Sequence, residues 1–291
     1  MLVFATAMML GACGVNLGIE GVTSEWVTID GQNGRKALLV APENHDPATS
    51  TTKLPLVVNL HGLGSNAEDM ARLAEWPQAV VDDNLLMVFP DGRDKSWNAG
   101  GCCGGAVADG IEDVSYLDFV IDQMVAEEGA DPDQIYMTGY SNGAMMTYRY
   151  NCERPDKLKG AASYAGTNYS DCVPTGSSPF FQISGSADPV IPVLGGESTL
   201  PGVGDVPKVE TSMEEVSTGA NCAAPEFNDA EGVAHFTAVD CRDNSAMRFD
   251  VVEGLDHHYP TAETWPSYVA VTEILDFWGL SSRPAEGVEA P

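Results

Sequence analysis

The chain has 291 residues, with 14 Lys+Arg against 43 Asp+Glu, a formal net charge of −29, and 44% hydrophobic residues. So few cations can neither neutralise a nucleic-acid backbone nor dock a basic patch on anionic lipid, which removes both from the expected partners. No run of 18 apolar residues spans a bilayer, and apolar segments recur too regularly for a disordered chain.

The first twelve residues, MLVFATAMMLGA, are apolar and too short to span. They run into Leu10-Gly11-Ala12-Cys13, which resembles the lipobox of bacterial lipoproteins. Residues 1–12 then read as a signal segment, Cys13 as a lipidation site and 13–21 as a short linker. No Lys or Arg precedes Arg35, so a plain secretory signal is the other reading. Either way an extracellular or periplasmic location is expected, with a lipid anchor at Cys13 in the first case.

Trp26 to Ile29, the turn signal Asn33-Gly34, and Ala37 to Val40 read as a hairpin. Leu54 to Leu60 (LPLVVNL) is a strand buried on both faces. Ser65-x-x-Glu68 is a capping box opening a helix that runs towards Val81. Leu85 to Phe89 is the next buried strand. Val114, Leu117, Ile121, Met124 and Val125 share a helical face, ended by Gly129. Ile135 to Thr138 is a short strand, followed by a helix from Asn142 to about Cys152. Ala161 to Ala165, Phe180 to Ile183 and Phe249 to Val252 are strands, and Trp265 to Trp278 is a closing helix. Leu194 to Val206, rich in Gly and Pro, is a loop, and 281–291 a frayed tail. Strands alternating with helices predict an α/β domain over 22–280, with a mostly parallel sheet and helices on both faces.

Seven cysteines leave six once Cys13 is set aside, an even number suited to an oxidising compartment. Cys222 and Cys241 bracket a compact stretch and are expected partners. Cys102 and Cys103 are adjacent, about 3.8 Å apart at Cα in a trans chain, and are expected not to bridge each other. They are instead expected to divide between Cys152 and Cys172, in an order left open. No spacing is CxxC, so zinc is not expected, and no other metal is either.

Gly139-Tyr140-Ser141-Asn142-Gly143 is a GxSxG motif between a short apolar strand and a helix start. That is the context of a nucleophile elbow in an α/β hydrolase. The turn leaves no room for side chains at the two glycines, and it aims the first helix N–H groups at the Ser141 hydroxyl. A serine hydroxyl needs a base, and the order in this fold is Ser, acid, His. Asp188 lies on the loop after the strand at Phe180 to Ile183 and is the expected orienter. His257, on the loop after the strand at Phe249 to Val252, is the expected base, with neighbouring His258 as the alternative. His61-Gly62-Leu63-Gly64 follows the first buried strand. The N–H groups of Leu63 and Asn142 are the expected oxyanion donors, with His61 bracing the loop.

The segments LVVNLHGLGSNAEDM, FPDG, WNAGGCCG, EDVSYLDFVIDQM, TGYSNGAMMTYRYNCERPD and SGSADPVIP, in this order, resemble the polyhydroxybutyrate depolymerase and feruloyl esterase-like group. This branch of the α/β hydrolases is related to carbohydrate esterase family one. The likeness spans roughly residues 22–280. It implies a Ser-Asp-His carboxylic-ester hydrolase carried on Ser141, Asp188 and His257, without metal or organic cofactor. Two positions depart from the group: Leu63 stands where Cys is frequent, and Tyr259 where Trp is expected, so Tyr259 is a candidate wall of the acyl site. Small or oligomeric esters are the implied substrates: hydroxyalkanoate, acyl or aryl, or the feruloyl and acetyl-xylan esters of the same group. A serine peptidase of this fold and a non-catalytic surface binding protein are the rival readings. The first usually carries further domains to gate access, and the second is expected to have lost a triad residue.

Overall fold

A computed structural model gives residues 14–282, apart from 74 and 156. The expected signal segment, Cys13 and residues 283–291 lie outside the described residues. The chain opens with β1 (Val22–Thr28), β2 (Lys36–Pro42), β3 (Leu54–Leu60), α1 (Ala67–Leu73), α2 (Trp76–Asp82) and β4 (Leu86–Pro90). It continues with α3 (Gly104–Ala108), α4 (Asp113–Glu127), β5 (Ala130–Tyr140), α5 (Asn142–Glu153), β6 (Gly160–Tyr164) and β7 (Phe180–Gly185). A ribbon of β8 (Gly196–Glu197) and β9 (Asp205–Val206) precedes α6 (Val209–Gly219), β10 (Glu226–Ala230), β11 (Val233–Ala238), β12 (Met247–Val252) and α7 (Ala270–Trp278).

Ten strands join in one sheet, ordered β1-β2-β4-β3-β5-β6-β7-β12-β11-β10. The six from β4 to β12 run parallel, and an antiparallel pair flanks each side. The apolar run in β3 explains its place at the centre. Leu54, Leu56, Val58 and Leu60 enter one core with Val114 of α4, Met145 of α5 and Val209 of α6. Val57 enters the other, with Met70 of α1, Trp76 of α2 and Ile274 of α7. Alternate side chains of one strand therefore feed both layers, and each large apolar group so buried contributes about 1.5–3 kcal/mol.

Several local expectations need correcting. The helix opening near Ser65 starts one residue later, because Asn66 is the better-placed cap: its Oδ1 accepts from Asp69 N–H at 2.9 Å and its Nδ2 donates to Asp69 Oδ2 at 2.7 Å. The helix also breaks, with Glu75 at φ 55° between α1 and α2. The closing helix begins at Ala270 rather than Trp265, since Pro266 disfavours helical geometry at the residue before it.

The cysteine pairing also differs in part. Cys222 bridges Cys241 as expected, but Cys102 bridges Cys103 and Cys152 bridges Cys172. The peptide between Cys102 and Cys103 is cis. Cys152 ends α5 within 6.1 Å, Cα to Cα, of Cys172 on the loop after β6, which leaves no thiol for the buried adjacent pair. Bridges of this kind belong to an oxidising compartment, which fits an extracellular location.

Candidate active site

The parallel strands end at one edge of the sheet, and the loops leaving them bring the expected residues together. Ser141 joins β5 to α5 with φ 55° and ψ −117°, a backbone shape that L-residues rarely adopt. Its flanks explain how the turn closes. A Cβ on Gly139 would run into the backbone of Gly143, and one on Gly143 into the carbonyl of Leu60. The Ser141 N–H donates to Tyr164 O at 2.9 Å, and Met145 N–H returns to Ser141 O at 3.0 Å as the helix begins. The N–H groups of the first helical turn have no partner within the helix, so they face the serine with the positive end of the α5 dipole.

His257 Nε2 lies 2.9 Å from Ser141 Oγ, and its Nδ1 lies 2.7 Å from Asp188 Oδ2. Asp188 is buried, and its other oxygen accepts from the N–H groups of Val190 and Ile191, each at 2.8 Å. That carboxylate is therefore locked at both oxygens. His258 is turned away. Its side chain is 84% exposed and pairs with Asp256 at 2.6 Å, so only His257 of the two reaches the serine.

Asn142 follows Ser141 at the start of α5, and Leu63 follows Gly62 on the loop after β3. Gly62 abuts the serine: a Cβ added there would lie 3.5 Å from Ser141 Cβ. The loop is fixed by His61, whose buried ring accepts the Gly92 N–H at Nε2 (2.9 Å) and donates from Nδ1 to Gly62 O (2.8 Å). Burial pushes the His61 pKa down from 6.5, which suits the neutral ring these two bonds require. Trp97 ties the two halves. Its indole N–H donates to His61 O, and its backbone exchanges two bonds with the Asn142 side-chain amide, at 2.7 and 3.1 Å.

Tyr259 does not line the opening. It is buried, edge-on to Tyr140 and Tyr164, and its hydroxyl accepts from Trp76 Nε1 at 3.0 Å. The loop 194–206 is tied beside Asp188: Pro189 O accepts from Thr199 N–H and Oγ1 at 3.1 and 3.0 Å.

The chain is similar to several known esterases. A family described as phospholipase/carboxylesterase matches residues 108–225, a stretch holding Ser141 and Asp188. Feruloyl esterase C of Emericella nidulans is 27% identical over 172 residues, covering 56% of this chain and 58% of that protein. Poly(3-hydroxyalkanoate) depolymerase C of Paucimonas lemoignei is 28% identical over 230 residues, covering 76% of this chain and 54% of that protein. The chain thus spans about half the length of these curated relatives. In solved structures, the acetyl xylan esterase of Aspergillus awamori superposes with a TM-score of 0.66 at 13% identity, covering 89% of this chain and 99% of that one.

The chain has an α/β-hydrolase fold and is similar in sequence to feruloyl esterases and to a polyhydroxyalkanoate depolymerase. The side chains supporting the site were not legible in the sequence. Asp91 of the FPDG segment accepts the Ala67 N–H of α1 at 2.7 Å. Arg35 pairs with buried Asp113 at 2.8 Å, and Asp113 accepts the Asn98 N–H beside Trp97. Both acidic residues stood in segments that carried the resemblance, but neither announced its partner.

Proposed function

We propose that this protein is an exported serine carboxylic-ester hydrolase. Ser141 attacks the ester carbonyl, and His257 takes its proton and later returns it to the departing alcohol. Asp188 holds the ring with Nδ1 protonated and steadies the imidazolium. The N–H groups of Leu63 and Asn142 bind the oxyanion, and water then releases the acyl group by the same route. The observation that carries this reading is the unbroken chain Asp188–His257–Ser141, with contacts of 2.7 and 2.9 Å, ending on a serine at a strand-to-helix elbow.

The proposed substrates are soluble: short hydroxyalkanoate esters, or small acyl and aryl esters. Feruloyl and acetyl-xylan esters form the second reading, favoured by the feruloyl esterase and acetyl xylan esterase among the similar proteins. Export with lipidation at Cys13 completes the proposal, supported by the Leu-Gly-Ala-Cys run and the three bridges. Initial rates on hydroxybutyrate oligomers, methyl ferulate and p-nitrophenyl acetate, for wild type and Ser141→Ala, test the activity. Turnover of at least one ester that vanishes in the variant is expected. Turnover equal in both proteins overturns the reading.

A further inference from the structure

The loop carrying His257 has no regular structure, yet a general base must sit within about 0.5 Å of its working position. Its upstream half is anchored to the segment after β7: Gly254 N–H donates to Ser186 Oγ at 2.9 Å, and Ala187 N–H to Leu255 O at 3.0 Å. At the histidines themselves the anchors are two phenols. The Tyr140 hydroxyl donates to His257 O, and the Tyr164 hydroxyl to His258 O.

These tyrosines end adjacent strands, β5 and β6, and are direct partners in the strand register. Their rings stack, with centroids 5.6 Å apart and planes 20° apart. Tyr140 also lies beside the His257 imidazole, centroids 5.3 Å apart. Tyr259 packs edge-on against both tyrosines at 5.9 and 4.9 Å. Two consecutive carbonyls of an irregular loop are thus held from the ends of two central strands, among the stiffest parts of such a sheet. One of the two phenols belongs to the residue that precedes the nucleophile.

We propose that Tyr140 and Tyr164 form a positioning clamp that sets His257 against Ser141, with Tyr140 as the arm that couples base and nucleophile. The proposal rests on the ester-hydrolase reading and adds to it the device that registers the base. Burial pushes both phenol pKa values up, with Asp188 adding to the shift, so each remains a donor across the neutral range. The face of Tyr140 beside the imidazole favours its cationic form, which exists only while the ring carries the proton in transit. Its contribution therefore falls on kcat more than on KM.

The test compares purified wild type, Tyr140→Phe, Tyr164→Phe and the double variant on p-nitrophenyl acetate. Tyr150→Phe is the control, since its phenol, bonded to Asp118 at 2.8 Å, sits at the far end of α5. Each single clamp variant keeps its ring and loses one hydrogen bond. A fall in kcat of about tenfold is expected for each, with KM within about twofold, and no change for the control. Proton NMR supplies a readout independent of turnover. The downfield resonance of the His257 Nδ1–H shared with Asp188 should be sharp in wild type and broadened in Tyr140→Phe. An unbroadened resonance together with kcat within about twofold of wild type overturns the clamp. Absent turnover in wild type overturns the ester-hydrolase reading instead, and the resonance then still decides whether the phenols order the base.

Discussion

Ser141 has an unfavourable backbone shape because the β5–α5 turn lifts its hydroxyl towards His257. In the proposed mechanism the three residues act as a unit, so removing either chemical partner removes most of the rate. Ser141→Ala and His257→Ala should each lower kcat by about 10⁴-fold or more while the fold persists. Asp188→Asn should cost less if the ring keeps its place, and His258→Ala should leave kcat near wild type. Loss of turnover in His258→Ala with retention in His257→Ala reverses the assignment of the base. His61 gives a pH prediction at the same scale. Its folded pKa lies below the ordinary 6.5 because the ring is buried. As pH falls through 6.5 the unfolded chain takes up a proton that the folded ring refuses, so folded-state stability drops, approaching about 1.4 kcal/mol per pH unit until the folded ring also titrates. Thermal melts between pH 7.5 and 5 should show a shallower acid decline for His61→Gln, and parallel declines in both proteins would contradict this.

At the scale of elements, the bridges staple irregular segments to regular ones. Cys152–Cys172 closes 20 residues between α5 and the loop after β6, and Cys222–Cys241 closes 19 around the β10–β11 hairpin. Loops of this length predict a loss of roughly 3 kcal/mol for each bridge removed. Denaturant unfolding of a Cys152→Ala/Cys172→Ala variant measures it, and an unchanged midpoint contradicts it. Elements buried on both faces were legible in the sequence where they leave near-continuous apolar runs, as β3 and β4 do. The β10–β11 hairpin was not: β10 is exposed at nearly every residue, so no alternation marks it. Helix α6 escaped notice because its apolar positions are spaced among Thr, Ser and Glu. The order Ser141, Asp188, His257 was readable from the motifs, and the structure brings these three side chains together. The tyrosine clamp was not, because its partners are 117 and 94 residues apart and one end of each bond is a backbone carbonyl.

For the whole molecule, a formal charge of −29 means self-repulsion in dilute buffer. Screening shortens from about 30 Å at 0.01 M salt to about 3 Å at 1 M. The melting temperature should therefore rise as KCl is raised over that range, and a flat or falling response would contradict it. The same charge gives no attraction to anionic polymer surfaces. Initial rates on soluble hydroxybutyrate oligomers should exceed those on crystalline polymer films at equal ester concentration, and faster release from films would count against the proposed substrate class. The central claim is that one hydrogen-bonded chain, Asp188–His257–Ser141, makes this fold a nucleophilic ester hydrolase. Its most direct measurement is mass-spectrometric mapping of the adduct left by a fluorophosphonate probe on wild type, His257→Ala and His258→Ala. The account predicts a single adduct on Ser141, formed at wild-type rate in His258→Ala and at least about 10³-fold more slowly in His257→Ala. An adduct elsewhere, or labelling of Ser141 that does not depend on His257, would contradict it.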